Sequence, residues 1–206
     1  MPYQNRVAPT GDIHAVPSKG TLMGNRGIIH DDAGTITRTH AHQNWVTCAL
    51  HYKHRRQTLM APGRYTQLFF LDEATALAAG HRPCATCRRD RYRSFVEAWG
   101  EVHGGPRDGR SVPQTIDRVL HAARISRRRE KVTFRSRLTD LPTGTIIAGE
   151  DHPILLWRGT CLQWSLSGYE EVRSQPPKEV TVLTPNPLVA LYAAGWEPEA
   201  KPCASL

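Results

Sequence analysis

The sequence predicts an α+β protein: β-hairpins carrying a zinc knuckle, central helices, and a small C-terminal β-barrel or sandwich. Three observations predict it. Short apolar segments bounded by turn residues fill the first and last thirds of the chain. Two stretches in the middle third place apolar side chains at helical spacing. Between the first third and those stretches stands Cys84-Ala85-Thr86-Cys87, a C-x-x-C turn whose two thiolates suit one tetrahedral zinc ion.

The first third reads as β-rich. Residues 27–30, the turn Asp31-Asp32-Ala33-Gly34 and residues 35–39 make a strand, a turn and a strand. Trp45 to Tyr52 is another strand, with 53–56 as its turn and 57–60 as the return. The glycine-rich stretch 19–27 lacks the Gly-Lys-Ser/Thr of a phosphate-binding P-loop, so it reads as an ordered loop or a substrate-contacting one. Phe69-Phe70-Leu71 is a short apolar strand. Asp72 then suits a helix N-cap, and Glu73 sets negative charge on the helix N-terminus. Residues 74–79 are nearly all alanine and leucine, strong helix formers, and Gly80 is able to take the left-handed conformation that ends a helix. Pro83 fixes the chain just before the first thiol.

After the knuckle, Tyr92, Phe95, Val96 and Trp99 share one helical stripe, and Arg88, Arg89, Arg91 and Arg93 lie mostly off it. A second helix is expected from Pro113 to Arg128, with Ile116, Val119, Leu120 and Ala123 inward. Asp117 and His121, four apart, share its other face with Arg124 and Arg128. Such an Asp–His pair is either a general base with its orienting partner or an ordinary surface pair. The last third turns β again: residues 131–138, 145–148, 154–157, 161–165 and 179–183 are short strands between turns. Residues 182–198 repeat the strand, cap, helix, Ala-Ala-Gly grammar of the knuckle segment without its cysteines. The chain divides at 105/106 into a hairpin and knuckle module and a helix and barrel module. No Ser- or Gly-rich linker separates them, so they are expected to pack as one body.

Phe69-Phe70, Ala76-Leu77-Ala78-Ala79-Gly80, Arg82-Pro83-Cys84 and Cys87 together resemble the second half of the zinc-binding domain of the Ada family. That family comprises bacterial DNA alkylation-repair and regulatory proteins. The resemblance spans residues 64–90 and implies zinc, DNA and a role in repair. In that family the other two ligands are an upstream Cys-x-x-x-Cys pair, the first of which accepts the methyl group. Here the upstream region offers a single thiol, Cys48.

Five cysteines, of which only Cys84 and Cys87 are closely spaced, argue for metal or redox use and not a disulfide framework. A redox dithiol of the thioredoxin kind wants a parallel sheet with crossover helices, whereas the surroundings read as hairpins. Cys48 is the natural third zinc ligand, since a neighbouring strand brings a thiol under the knuckle. His30 or His51 is expected to be the fourth. His81 sits too close to Cys84 to reach the same metal without straining the turn.

Net charge is +8, and its placement says more than its size. Residues 82–137 hold 15 Lys plus Arg against 6 Asp plus Glu; the remainder carries 12 against 13. A concentrated positive field steers polyanions. The arginines expected on the nucleic-acid surface are Arg82, Arg88, Arg89, Arg91, Arg93, Arg124 and Arg128, with DNA the expected partner and RNA open. The expected function is therefore a zinc-containing DNA-binding protein in repair or damage recognition. The alternative is an enzyme acting on nucleic acid, a nuclease or a DNA glycosylase-like hydrolase, with Asp117 and His121 as its catalytic groups. No run of about 18 apolar residues exists to span a membrane. The first residues lack the apolar stretch of a secretory signal, so a cytoplasmic location is expected.

Overall fold

The computed structural model describes residues 1–53, 58–106, 108–172 and 176–201. It is a mixed α and β structure with two six-stranded sheets. The first sheet is built from β1 (Gln4–Val7), β2 (Ile13–Ala15), β3 (Leu22–Asn25), β4 (Val46–Ala49), β5 (Leu68–Phe70) and β6 (Arg82–Pro83), in the order β2-β1-β5-β3-β4-β6. The second holds β7 (Phe134–Arg137), β8 (Ile146–Ile147), β9 (Ile154–Trp157), β10 (Thr160–Ser165), β11 (Gly168–Glu171) and β12 (Glu179–Val182), in the order β11-β10-β9-β8-β12-β7. Its pairings are all antiparallel and it stays open, so the strands expected to close a barrel form a single sheet with two edges.

Four helices accompany the sheets: α1 (Glu73–Ala78), α2 (Arg89–His103), α3 (Val112–Arg124) and α4 (Asn186–Ala193). The short α1 is buried along its whole length, because it has something to pack against on every side. Ala74 and Ala78 meet Ile146, Leu155, Leu162 and Trp164 of the second sheet. Ala76 and Ala79 meet Val7, Leu68 and Phe70 of the first. Leu77 enters a third cluster with Phe95 and Trp99 of α2, Ile116 and Leu120 of α3, and Leu188 and Leu191 of α4. Small side chains let both sheets approach this helix closely. The apolar packing therefore crosses residue 105/106 freely. No helix among the described residues is long and apolar enough to cross a membrane.

Several elements depart from expectation for local reasons. The glycine-rich stretch 19–27 contains β3, which pairs with both β4 and β5. Gly24 is required there because a Cβ would lie 2.3 Å from the Phe70 ring. The hairpin expected over residues 27–39 shrinks to one bridge, His30 to Ile36, around a turn in which Asp31 Oδ1 accepts from the N–H groups of Ala33 and Thr35. The turn expected at 53–56 falls largely on residues 54–56, outside the described residues, and of the return expected at 57–60 the described residues 58–60 form a turn and no strand. Helix α3 stops at Arg124, not Arg128: β-branched Ile125 is extended and bridges to Lys131.

Helix α1 is capped as its sequence requires. Asp72 Oδ1 accepts from the Thr75 N–H at 2.9 Å. Gly80 leaves the helix at φ +87°, and a Cβ there would lie 2.4 Å from Cδ of Arg124. Gly80→Ala is expected to lower stability by about 2–4 kcal/mol, combining a left-handed backbone penalty with overpacking. Chemical denaturation of the two proteins measures the difference.

Candidate metal centre and the arginine groove beside it

The metal centre is made by strand register. Strand β6 lies parallel to β4, with Val46 opposite Arg82 and Thr47 opposite Pro83. The Cys84 N–H continues the pairing by donating to the Thr47 carbonyl at 2.9 Å. Cys48 and Cys84 are therefore next in line on adjacent strands. Residues 84–88 then close a turn through Arg88 N–H to the Cys84 carbonyl, 3.1 Å, and the Thr86 N–H points at the Cys84 sulfur, 3.4 Å. Pro83 is tolerated because β6 is an edge strand.

The sulfurs of Cys48, Cys84 and Cys87 lie within 4.8 Å of one another. Bonds of about 2.3 Å to one tetrahedral zinc place thiolates roughly 3.8 Å apart, so the set fits a single ion. All three are free thiols. Their protons are shared unequally. The hydrogen bond with Cys48 and the backbone N–H groups of the turn bring the Cys84 thiol down to about 4. The same contact with Cys84, followed by burial, pushes the Cys48 thiol up. Burial raises Cys87.

Neither histidine expected as fourth ligand joins the cluster. His30 is buried elsewhere, with Nδ1 2.5 Å from Thr66 Oγ1 and Nε2 3.4 Å from the Ala61 carbonyl. His51 is exposed and lies outside the 4.8 Å group. Beside the sulfurs is a cavity of about 330 Å³, walled by Met23, Leu50, Tyr52, Leu59, Tyr65 and Phe69. Among the described residues no carboxylate or imidazole lines it.

A shallow groove runs along the outer side of the knuckle, lined by Tyr52, Ala85, Thr86, Arg89, Tyr92 and Arg93. It shares Tyr52 and Thr86 with the cavity. Arg93 is 65% exposed and only 3.9 Å from Asp90, so its charge faces solvent. Tyr92 stacks under Arg82, whose guanidinium carbon is 5.5 Å from the ring centre. Beyond Arg82 a second shallow depression holds Gln43, Asn44, Arg110, Gln114 and Arg118.

Of the seven arginines expected to meet nucleic acid, Arg89, Arg93 and Arg128 are exposed. The other four are corrections, because each is committed to partners within the protein, Arg91 from a partly exposed position. Arg82 makes a two-pronged pair with Asp117, 2.8 and 2.7 Å. Arg88 and Arg91 both clamp the fully enclosed carboxylate of Glu73, at 2.8 and 2.7 Å. Arg88 also donates to Thr47 Oγ1, beside Cys48, at 2.8 Å. Arg124 donates to the carbonyls of Gly80 and Gln43 and lies 4.0 Å over the Trp45 ring. The sequence signal was present in Glu73 and Asp117, but their partners are distant in the chain. Tyr52, Tyr92, Arg110 and Arg118 were not singled out for any surface; aromatic residues interleaved with arginines near the knuckle were the available cue.

The Asp117–His121 pair is also corrected. Asp117 is buried against Arg82. His121 instead sets Nδ1 3.3 Å from Arg124 and meets the ring of His40 edge-on at 5.2 Å. Burial and then the Arg124 charge lower its pKa, which favours the neutral ring. No family model, curated protein or solved structure matches the chain.

Asp117→Asn leaves the Arg82 guanidinium buried with a weakened partner and is expected to cost about 3–5 kcal/mol. His121→Ala, at a half-exposed position, is expected to cost far less. Denaturation curves of both variants check the contrast; equal effects would return Asp117 to an ordinary surface pair.

Proposed function

We propose that this chain is a zinc-containing DNA-binding protein that acts in DNA repair or damage recognition, and that DNA meets it along the knuckle groove. One observation carries the reading. The three-sulfur site and the groove of Arg89, Arg93, Tyr52 and Tyr92 share a wall, so a strand held by the arginines passes the metal centre. Arginine supplies phosphate contacts, and tyrosine faces supply stacking for unpaired bases. The surplus of positive charge in residues 82–137 supports the same partner, as does the resemblance of residues 64–90 to the Ada zinc domain. The apolar, aromatic cavity beside the sulfurs suits a displaced base or an alkyl group more than a hydrated ion. A hydrolytic enzyme built on Asp117 and His121 draws no support from this geometry, since the carboxylate neutralises Arg82 instead of orienting the imidazole.

Zinc, when bound, holds three thiolates together and supplies Lewis acidity at the groove wall. Cys48, Cys84 and Cys87 are the residues that would hold it.

Purified protein is expected to carry one zinc per chain, and Cys48→Ser or Cys84→Ser to lose it. Anisotropy titrations with duplex and single-stranded DNA are expected to show affinity falling steeply with salt. Removing two phosphate contacts in Arg89→Ala/Arg93→Ala should reduce the log–log salt slope by about 2 while zinc content stays intact. Zinc-free protein with all three thiols open to alkylation overturns the metal assignment. Salt-independent or absent DNA binding, or an unchanged slope in the double variant, overturns the groove; preference for RNA would replace the partner.

A further inference from the structure

Away from the knuckle the interior carries positive charge with little to balance it. Arg26 is 2% exposed and lies 4.3 Å over the Trp45 ring, and Arg124 lies over the same ring. Lys131 is tied to the carbonyls of Pro9 and Ala78. Among the described residues, none of the ion pairs within 4.0 Å includes Arg26, Arg124 or Lys131. The Arg26 guanidinium donates to the Gly11 carbonyl at 3.0 Å and faces His81 Nε2 at 3.3 Å, but its Nη2 is buried with no partner. A buried charged donor left without a partner is destabilising, and an arriving acceptor relieves it.

Of these cations Arg26 reaches a cleft of about 490 Å³ between the Gly11–Ile13 turn and the segment Ile36–Thr39. Arg26 forms part of its lining; exposed Arg38 and Arg129 stand at its mouth, with Thr37 and Thr39 beside them. Among the described residues Asp12 is the one acid lining it, and its carboxylate accepts from the Thr10 hydroxyl at 2.7 Å. Arg129 is held in place by a left-handed backbone, φ +65°, in the turn where its N–H donates to the Ser126 carbonyl. The cleft shares no residue with the knuckle cavity or the knuckle groove.

We propose that this cleft is a second anion site, which binds a phosphate group between Arg26, Arg38 and Arg129. Three arginines line one space that a tetrahedral oxyanion occupies with room for its substituent, while the Thr37 and Thr39 hydroxyls are held by the Ile29 carbonyl and His40 Nδ1. Guanidinium forks match phosphate oxygens two at a time. An anion also relieves the interior behind it. Burial, with small relief from Asp12, brings Arg26 down to about 9; burial and then the charges of Arg26 and Arg124 bring Lys131 to about 7. The phosphate is either a free or nucleotide-borne group or a phosphodiester of bound nucleic acid. The proposal does not depend on the knuckle groove.

The test compares the full chain with Arg38→Ala/Arg129→Ala, which removes only exposed side chains, and with Arg26→Gln as a second variant. Melting is followed against sodium phosphate, with sodium chloride at matched ionic strength as control, and DNA affinity is measured in parallel. The parent is expected to gain stability with phosphate beyond chloride, and the double variant to need at least tenfold more phosphate for the same gain. If the source is free phosphate, the double variant binds DNA as the parent does. If it is a phosphodiester, its DNA affinity falls at least tenfold while zinc content and the Arg89/Arg93 dependence persist. A phosphate gain retained in full by the double variant overturns the proposal. So does a parent with no phosphate-specific gain whose DNA affinity is also unchanged by the double substitution.

Discussion

The structure depends on two carboxylates buried at the N-terminus of one short helix. Glu73 has no exposed side-chain surface, and a buried charge is tolerated only when it is fully paired. Arg88 and Arg91 supply the pairing, and the Glu199 N–H adds a third donor at 2.9 Å. Asp72 does the same for the other side of the molecule. It accepts from Thr75 within α1, from the Tyr169 hydroxyl at 2.9 Å and from the Lys201 N–H at 3.0 Å. Helix α1, the knuckle, α2, the second sheet and the C-terminal segment are thus ordered by the same pair of side chains. Losing one partner of such a pair costs about 3–5 kcal/mol, a large share of the 5–15 kcal/mol that holds a typical domain together.

This arrangement explains why the metal turn is where it is. Arg88 follows Cys87 directly and reaches both Glu73 and Thr47, the residue before Cys48. The charge pair draws the knuckle onto β4, and the parallel register with β6 aligns the thiols. Protein contacts thus assemble a three-sulfur cluster able to hold a metal ion. The arginine-rich middle third divides accordingly. Arg82, Arg88, Arg91 and Arg124 satisfy interior acids, carbonyls and aromatic faces, and Arg89 and Arg93 remain outside beside the sulfurs.

Features set by neighbours in sequence were legible. The Asp72 cap, the all-small helix, the Gly80 stop and the C-x-x-C turn are local, and each stands where the residues require it. Cys48 was legible as the single thiol upstream of the knuckle. Strands β1, β2 and β11 are three or four residues long and carry too little alternation to stand out, and β3 hides in a glycine-rich stretch. Barrel closure was not legible, since alternation reveals strands and says nothing of which edges meet. The roles of the arginines were misassigned because charge counts ignore pairing at a distance: Arg82 finds Asp117 35 residues away, and Arg91 finds Glu73 18 away. The i, i+4 spacing of Asp117 and His121 was a true helical neighbourhood overruled by a stronger tertiary partner. The histidine ligands failed for a similar reason, His30 being held by Thr66 on another segment.

The link between Glu73 and the cysteine turn, made by Arg88, is what positions the three thiols. Arg88→Met cuts the link while Arg91 and the Glu199 N–H still pair with Glu73, and the variant is expected to stay folded at reduced stability. Zinc affinity, measured by competition with a chromophoric chelator, is expected to weaken about 10- to 100-fold, the range seen when a partner that orients metal ligands is removed. An Arg88→Met protein that folds and binds zinc as tightly as the parent would contradict the account.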